Sequence, residues 1–109
     1  MIFVKKQQTK DQHLYLSTEL CQKLNSDYIQ IWIDDKHNKI AFLSCGKNDE
    51  NAVKIYQRID HTSFKQHYIL TKQVSSLFDT YERVPGKYYK KDNCVIFNLK
   101  RRKKCLTKQ

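Results

Sequence analysis

One segment of this chain occurs twice, and that repetition limits the folds that the chain can adopt. The sequence LYLSTELCQKL occupies residues 14–24, and YILTKQVSSLF occupies residues 68–78. Each copy has the apolar residues of a short strand, then Ser17 or Thr71, and then apolar residues four apart, the spacing of one helical face. With Ser17 set over Thr71, four further pairs align: His13 with His67, Leu16 with Leu70, Leu20 with Val74, and Leu24 with Phe78. We therefore predict two similar halves that share one core.

The first half predicts a strand, a capped helix and a hairpin. Ser17 is the expected N-cap because its hydroxyl can accept from a free backbone N–H of the first turn. Asn25 can end the helix because it tolerates the left-handed conformation. Residues 27–33, DYIQIWI, alternate between apolar and polar side chains, which is the period of a strand with one buried face. After a turn at residues 34–38, residues 39–43 return as the second arm of a hairpin.

The second half repeats this order. Residues 53–59, VKIYQRI, alternate as a strand, and residues 61–66 are polar. Thr71 is then expected to cap a short helix that carries Val74, Leu77 and Phe78.

The last predicted elements form a second hairpin. Residues 81–89 predict a strand that Pro85 and Gly86 interrupt, so we expect it to be bent or to lie at a sheet edge. Residues 94–99 follow as its partner. The offset between the halves is 54 residues at the helix and 55 across the hairpins, which one inserted residue explains.

These patterns predict one domain over residues 1–109 with an α+β fold, built mostly of β-structure as a small barrel or sandwich. Its halves are residues 1–46 and 52–99, and residues 100–109 form a basic C-terminal tail. A unit of about 45 residues has too little interior to be stable alone. Two interlocked units bury both apolar faces in one core and leave few free sheet edges.

Cellular location is inferred from hydropathy and cysteine spacing. No apolar run approaches the roughly 18 residues of a membrane-spanning helix, and the first residues lack the pattern of a secretory signal. We therefore expect a cytoplasmic protein with reduced thiols, no membrane partner and no cofactor. The cysteines show no CxxC spacing and are Cys21, Cys45, Cys94 and Cys105. A zinc site that combines cysteines with His61 or His67 stays open as an alternative.

The net charge of +10 belongs entirely to residues 51–109, the second half together with the basic tail. Residues 1–50 hold seven lysines and seven acidic residues, whereas residues 51–109 hold fourteen basic residues against four acidic ones. Such asymmetry predicts a polyanionic partner for one part of the molecule.

The first half resembles the AbrB/SpoVT-type swapped-hairpin family. That family has an apolar residue, a short helix of the type KELREKLG, the pair GD and an alternating strand. The residues that match this pattern are Leu16, Glu19, Leu20, Lys23, Leu24, Asp27, Tyr28, Ile29 and Ile31. The resemblance covers residues 13–43 and, more loosely, 67–99. Two such units in one chain are similar to the MraZ-like arrangement, which implies a barrel built from both halves and a DNA-binding role.

The chain departs from the family at residues that matter for DNA reading. Ser17 stands where the family commonly has Pro, and Asn25 where it has Gly. Residues 7–19 contain only one basic residue, Lys10, although DNA-binding members carry arginines near the start of the unit. The Asp-x-x-x-Arg signature of MraZ occurs in neither half. The resemblance therefore implies the fold more directly than the contacts with bases.

The densest positive cluster directly follows the last predicted strand. It consists of Lys100, Arg101, Arg102, Lys103 and Lys104. Phosphates attract such a cluster, and the release of counterions drives binding. Arg101 and Arg102 can also clamp a phosphate or a guanine edge with two hydrogen bonds.

The second predicted hairpin extends this patch. Lys87, Lys90 and Lys91 lie on it, and Tyr88 or Tyr89 is available to stack on a base. Two further candidate nucleic-acid-binding residues are Arg58 and Lys65. The alternative for the tail is a solvated segment that only keeps the protein soluble.

Three functional classes compete on these grounds. The first is a nucleic-acid-binding, preferably DNA-binding, transcription regulator that acts as a monomer or homodimer. The second is a small phage or mobile-element inhibitor, such as an anti-CRISPR protein, that binds a nucleic-acid enzyme. The third is an enzyme, which we do not expect because the sequence has no nucleophile elbow, no glycine-rich phosphate loop and no HExxH motif.

Overall fold

Nine strands and one helix make up the regular structure in the described part of the chain. The computed structural model describes residues 1–6, 13–59, 65–71, 74, 77–78 and 82–99. Its elements are β1 (Phe3–Lys6), β2 (His13–Leu16), α1 (Thr18–Leu24), β3 (Tyr28–Asp34), β4 (Lys39–Cys45), β5 (Val53–Lys54), β6 (Tyr56–Ile59), β7 (Lys65–Leu70), β8 (Arg83–Tyr89) and β9 (Cys94–Asn98).

The nine strands form a single sheet whose two ends meet. Their order is β5-β3-β4-β9-β8-β1-β2-β7-β6. The outermost strands, β5 and β6, are consecutive in the chain and are separated by Ile55 alone. The sheet is therefore nearly closed and barrel-like, which leaves little free edge for pairing with other chains. The molecule is small and mostly β, as the sequence predicted.

The interior of the barrel is one cluster of apolar side chains from both halves of the chain. The buried members are Val4, Leu14, Leu16, Leu20, Leu24, Ile29, Ile40, Phe42, Ile69, Val74, Phe78, Val84, Val95 and Phe97. Leu20 and Val74, which the sequence alignment pairs, lie in this same cluster. Phe42 and Phe97 meet edge to face at its centre, with ring centroids 5.0 Å apart.

Helix α1 begins and ends at the residues that the sequence predicted. The Ser17 hydroxyl accepts from the Leu20 backbone N–H at 3.3 Å and also from the Phe3 N–H at 3.0 Å. Ser17 is buried, so one side chain both caps the helix and holds β1 beside it. Asn25 ends the helix in the left-handed region, with a φ of 47°.

The two long hairpins have the same register. In the first, Tyr28 pairs with Cys45 and Asp34 with Lys39. In the second, the seven residues of β8 stand 55 positions after the seven of β3, and the β8–β9 pairs follow the same register. Both turns end on an asparagine with positive φ, 54° at Asn38 and 48° at Asn93.

Strand β8 lies inside the sheet, so the edge alternative for this strand is wrong. Residues 83–85 pair with β1, and residues 86–89 pair with β9. The strand changes partner at Pro85 and Gly86, where the sequence predicted an interruption. A Cβ on Gly86 would lie 2.5 Å from Cε1 of Phe97, so the close packing requires glycine here.

Two other expectations need correction, and one aligned pair of residues differs in burial. The predicted strand over residues 53–59 is divided, because β5 pairs with β3 and β6 pairs with β7. Lys65 and Gln66, expected in a polar connection, belong to β7. Leu16 and Leu70, which the sequence alignment pairs, both end a strand, but Leu16 is buried whereas Leu70 is 44% exposed.

The second predicted helix lies mostly outside the described residues. Of its expected apolar residues, Val74 and Phe78 are buried in the core. The Leu77 backbone N–H donates to the Val74 carbonyl at 3.0 Å.

Candidate nucleic-acid interface

Three of the predicted basic residues share one exposed hairpin. Lys87 lies on the outer face of β8, and Lys90 and Lys91 lie in the turn that follows. All three side chains are exposed. The Lys87 Nζ lies 5.4 Å from the centroid of the Tyr89 ring, so a cation and an aromatic surface are adjacent here.

The structure distinguishes the two tyrosines that the sequence offered for stacking. Tyr89 is 39% exposed on the outer face. Tyr88 is half-buried and packs against the core, and its hydroxyl donates to Oδ1 of Asn93 at 2.8 Å. Tyr89 is therefore the residue of this pair that can meet a base.

Arg58 and Lys65 do not join this hairpin. They lie on the paired strands β6 and β7, where Arg58 is opposite Gln66 and Lys65 is opposite Ile59. Strand β6 is four strands away from β8 in the sheet order. The predicted residues thus divide between two distant parts of the barrel.

The basic run Lys100, Arg101, Arg102, Lys103 and Lys104 lies outside the described residues. The residue just before it, Leu99, is held by a hydrogen bond from its backbone N–H to the Asn38 carbonyl at 2.7 Å.

An aromatic cluster that the sequence analysis did not find lies on the outside of β2, β7 and β6. Tyr15 is directly opposite Tyr68, and Tyr68 is directly opposite Tyr56. The rings of Tyr56 and Tyr68 stack with centroids 5.5 Å apart and planes 19° apart. Tyr15 meets Tyr68 edge to face at 6.1 Å, and the His13 ring lies 4.6 Å from Tyr68. We call these four residues the aromatic platform.

Cations border the aromatic platform on both sides. Lys5 of β1 is directly opposite Tyr15, and Arg83 of β8 is directly opposite Lys5. At the other end, the Lys54 Nζ lies 5.2 Å from the centroid of the Tyr56 ring. Arg58 stands two residues after Tyr56 on the same strand and is exposed. The only evidence for the aromatic platform in the sequence is the alternation of side chains within each short strand. This alternation locates the surface only once the strand pairing is known.

The described cysteines are thiols in unreactive settings. Burial raises the pKa of Cys21 to about 12 and also raises the pKa values of Cys45 and Cys94. High thiol pKa values disfavour the thiolate, which is the form that binds metals and acts as a nucleophile. Within the described ranges, no three His, Cys, Asp or Glu side chains come together as a metal site.

Asp34, at the turn of the first hairpin, has a structural role. Oδ1 of Asp34 accepts from the His37 backbone N–H at 3.2 Å, and its Oδ2 lies 2.8 Å from the His37 ring. These contacts close the turn and lower the pKa of the Asp34 carboxyl. The turn predicted at residues 34–38 is confirmed, and Asp34 stabilises it.

None of the helical segments in the described residues has the length and hydropathy needed to cross a bilayer. Comparison with protein-family models, with curated proteins and with solved structures finds no match to this chain.

Proposed function

We propose that this chain is a nucleic-acid-binding regulatory protein of the cytoplasm, with DNA as the favoured partner. The observation that carries the proposal is the exposed cluster of Lys87, Lys90 and Lys91 beside Tyr89, within residues 51–109, which hold the whole net charge. Lysines on an exposed hairpin can follow phosphates, and the tyrosine adds a surface for a base or a sugar.

Duplex binding at several salt concentrations tests this proposal. The variant Lys87→Ala/Lys90→Ala/Lys91→Ala should bind a 20-base-pair duplex more weakly, and its log–log salt slope should fall by about one for each lost phosphate contact. A matched control is Lys36→Ala/Lys39→Ala/Lys47→Ala, which removes three exposed lysines from the charge-balanced half. That control should keep nearly the wild-type affinity and slope.

Two outcomes would remove the regulator proposal. One is a wild-type protein that ignores the duplex at about 50 mM salt, where phosphate contacts are strong. The other is an equal loss of affinity in both triple variants, because net charge alone would then explain the binding. A chain ending at Leu99 measures the contribution of the basic tail separately.

A second candidate function rests on an apolar row that crosses the outer face of β3, β4 and β9. Trp32, Ala41 and Ile96 are directly opposite one another on β3, β4 and β9. Trp32 is 62% exposed. Exposed tryptophans are frequent anchors of protein interfaces. This row favours an inhibitor of the phage or mobile-element kind that binds a nucleic-acid enzyme.

Trp32→Ala separates the two candidates. If the chain is an inhibitor, an equimolar amount should suppress cleavage by an RNA-guided nuclease, and Trp32→Ala should remove that suppression. The regulator candidate expects Trp32→Ala to leave duplex affinity unchanged, because Trp32 lies three strands away from Lys87 in the sheet.

We also propose that the halves are two copies of one strand–helix–hairpin unit, in an α+β arrangement like that of the tandem AbrB-type proteins. The shared 55-residue offset of the hairpins supports this proposal, as do the asparagines that end both turns. The pairing of β4 with β9 supports it further. Ala41 and Ile96 are equivalent residues under the 55-residue offset, and they pair with each other at the centre of this register, as expected when two copies of one unit are related by twofold symmetry.

A further inference from the structure

The outer surface of β6, β7, β2, β1 and the start of β8 combines aromatic rings with positive charge. Antiparallel partners point to the same side of a sheet, and alternate residues point to opposite sides. Because Val4, Leu14, Ile69 and Val84 are buried, their neighbours along the strands face outward. The outward residues are Phe3, Lys5, His13, Tyr15, Tyr56, Arg58, Gln66, Tyr68, Leu70, Arg83 and Pro85.

This surface has a one-sided charge. Three of those outward residues are basic, and none of them is acidic. Lys54 adds a fourth cation at the ring of Tyr56. Since no outward carboxylate neutralises these charges within the described strands, the surface is complementary to a polyanion.

We infer that this surface binds single-stranded nucleic acid, with unpaired bases stacked on the aromatic platform and phosphates held by the flanking cations. The inference concerns a different surface from the lysine cluster of the second hairpin. It rests on the proposed function in one respect: both assume that the protein binds a nucleic acid.

The aromatic character of this surface favours an unpaired strand over a duplex. A strand that crosses β6, β7 and β2 would meet rings at centroid separations of 5.5 and 6.1 Å. Tyr56 and Tyr68 stack on each other, so unpaired bases would contact the outward side of the ring cluster. Any base can do so because every base has a π-face. In a duplex, neighbouring base pairs cover those faces, so the aromatic platform would contribute little.

The positions of the cations fit the same ligand. Lys5 and Arg83 lie beyond Tyr15, and Lys54 and Arg58 lie beside Tyr56. If the nucleic-acid backbone ran from Lys5 and Arg83 to Lys54 and Arg58, its bases would lie against the tyrosines. The Arg83 guanidinium also lies 4.8 Å from the Phe3 ring, which holds its planar group on the surface.

Fluorescence anisotropy with a labelled fifteen-nucleotide oligo-dT strand and a labelled 20-base-pair duplex tests the inference. Tyr15→Leu/Tyr68→Leu removes two rings but keeps apolar side chains, and it should weaken oligo-dT binding at least tenfold. Tyr15→Phe/Tyr68→Phe keeps both rings and should bind within about twofold of wild type, because stacking needs the ring and not the hydroxyl. Thermal unfolding checks each variant, and Tyr56→Leu on the outermost strand replaces the pair if the pair does not fold.

The outcomes separate this inference from the proposed function. Loss of oligo-dT binding in the Leu variants, with retention in the Phe variants, supports it. Equal affinity in folded Leu variants overturns it. A wild-type protein that binds the duplex but not oligo-dT overturns the inference and leaves the duplex-binding proposal standing. A protein that binds neither polymer overturns both.

Loss of oligo-dT binding in Lys87→Ala/Lys90→Ala/Lys91→Ala alone would move the site to the second hairpin and overturn the platform.

Discussion

The hairpins β3–β4 and β8–β9 share the same backbone register but have different outer surfaces. Their lengths and registers agree, and both turns end on a left-handed asparagine. At matching outward positions, however, the first has Trp32 where the second has Lys87. At the tips, Asp34 and Asp35 of the first correspond to Tyr89 and Lys90 of the second.

This difference shows which residues determine the fold and which are free to serve binding. The inward side chains and the turn asparagines have similar tasks in both hairpins, since each must fill the core or reverse the chain. The outward side chains carry no such constraint. One hairpin is therefore suited to an apolar contact and the other to phosphates, without a change in architecture.

The largest expected effect concerns Gly86, which stands where the first hairpin has Ile31. A Cβ at Gly86 would lie 2.5 Å from Cε1 of Phe97 and 2.7 Å from Cγ1 of Val95, and both of those side chains are fully buried. We expect Gly86→Ala to lower the free energy of unfolding by about 3 kcal/mol through overpacking. Urea denaturation measures the change.

Gly46→Ala is the control for this comparison. Its new Cβ would lie 3.6 Å from Oδ2 of Asp49, an ordinary contact on an exposed residue. The change should stay within about 0.5 kcal/mol. If both alanine variants cost the same, the close packing of the second hairpin on Phe97 is not what requires glycine.

An intermediate effect separates the two turn asparagines. Ala at Asn38 or Asn93 meets the cost of a positive φ, about 1 kcal/mol each. Asn93→Ala also leaves the half-buried Tyr88 hydroxyl without its acceptor, so its total cost should be about 2 kcal/mol. Thermal and urea unfolding compare the two variants.

Glycine variants resolve the two contributions. Asn38→Gly relieves the backbone conformation and should be nearly neutral. Asn93→Gly still loses the hydrogen bond with Tyr88 and should remain destabilised. Equal costs for Asn38→Ala and Asn93→Ala would contradict a stabilising role for the Tyr88 contact.

The smallest effect is a pH dependence confined to the first turn. The hydrogen bond with His37 lowers the pKa of the Asp34 carboxyl in the folded state. Stability from this contact is therefore present above the ordinary carboxyl pKa and is lost as the pH falls through the lowered folded-state pKa. The urea midpoint of wild type should fall slightly more between pH 6 and pH 3 than that of Asp34→Asn.

Tyr89→Phe is the matched control in the second hairpin, because Tyr89 stands at the position of Asp34 and has no carboxyl to protonate. Its acid dependence should follow that of wild type. An Asp34→Asn protein with an unchanged acid dependence would show that the turn does not depend on the carboxylate.

The elements that local chemistry determines were predictable from the sequence. Ser17 and Asn25 mark both ends of α1, and the alternation of residues 27–33 with the turn before Asn38 gives the first hairpin. The division of residues 53–59 was not predictable. Which neighbour Val53 or Tyr56 pairs with depends on where distant strands lie, and no local preference encodes it.

The candidate sites follow the same rule. The lysine cluster lies within one short stretch of the chain, so the sequence was enough to find Lys87, Lys90 and Lys91. The aromatic platform joins Tyr15, Tyr56 and Tyr68, which come together only through the pairing of β2 with β7 and β7 with β6. A sequence without its sheet order cannot reveal that surface.

The sheet order also governs how this molecule comes to be made. Strand β2 takes its neighbour β7, and β4 its neighbour β9, from the later half of the polypeptide. During synthesis, the earlier half therefore emerges with unpaired edges at both strands. These edges can pair only after the ribosome has synthesised β7 and β9. Such long-range closure makes folding slow, and a nascent chain in that interval is a natural client for chaperones.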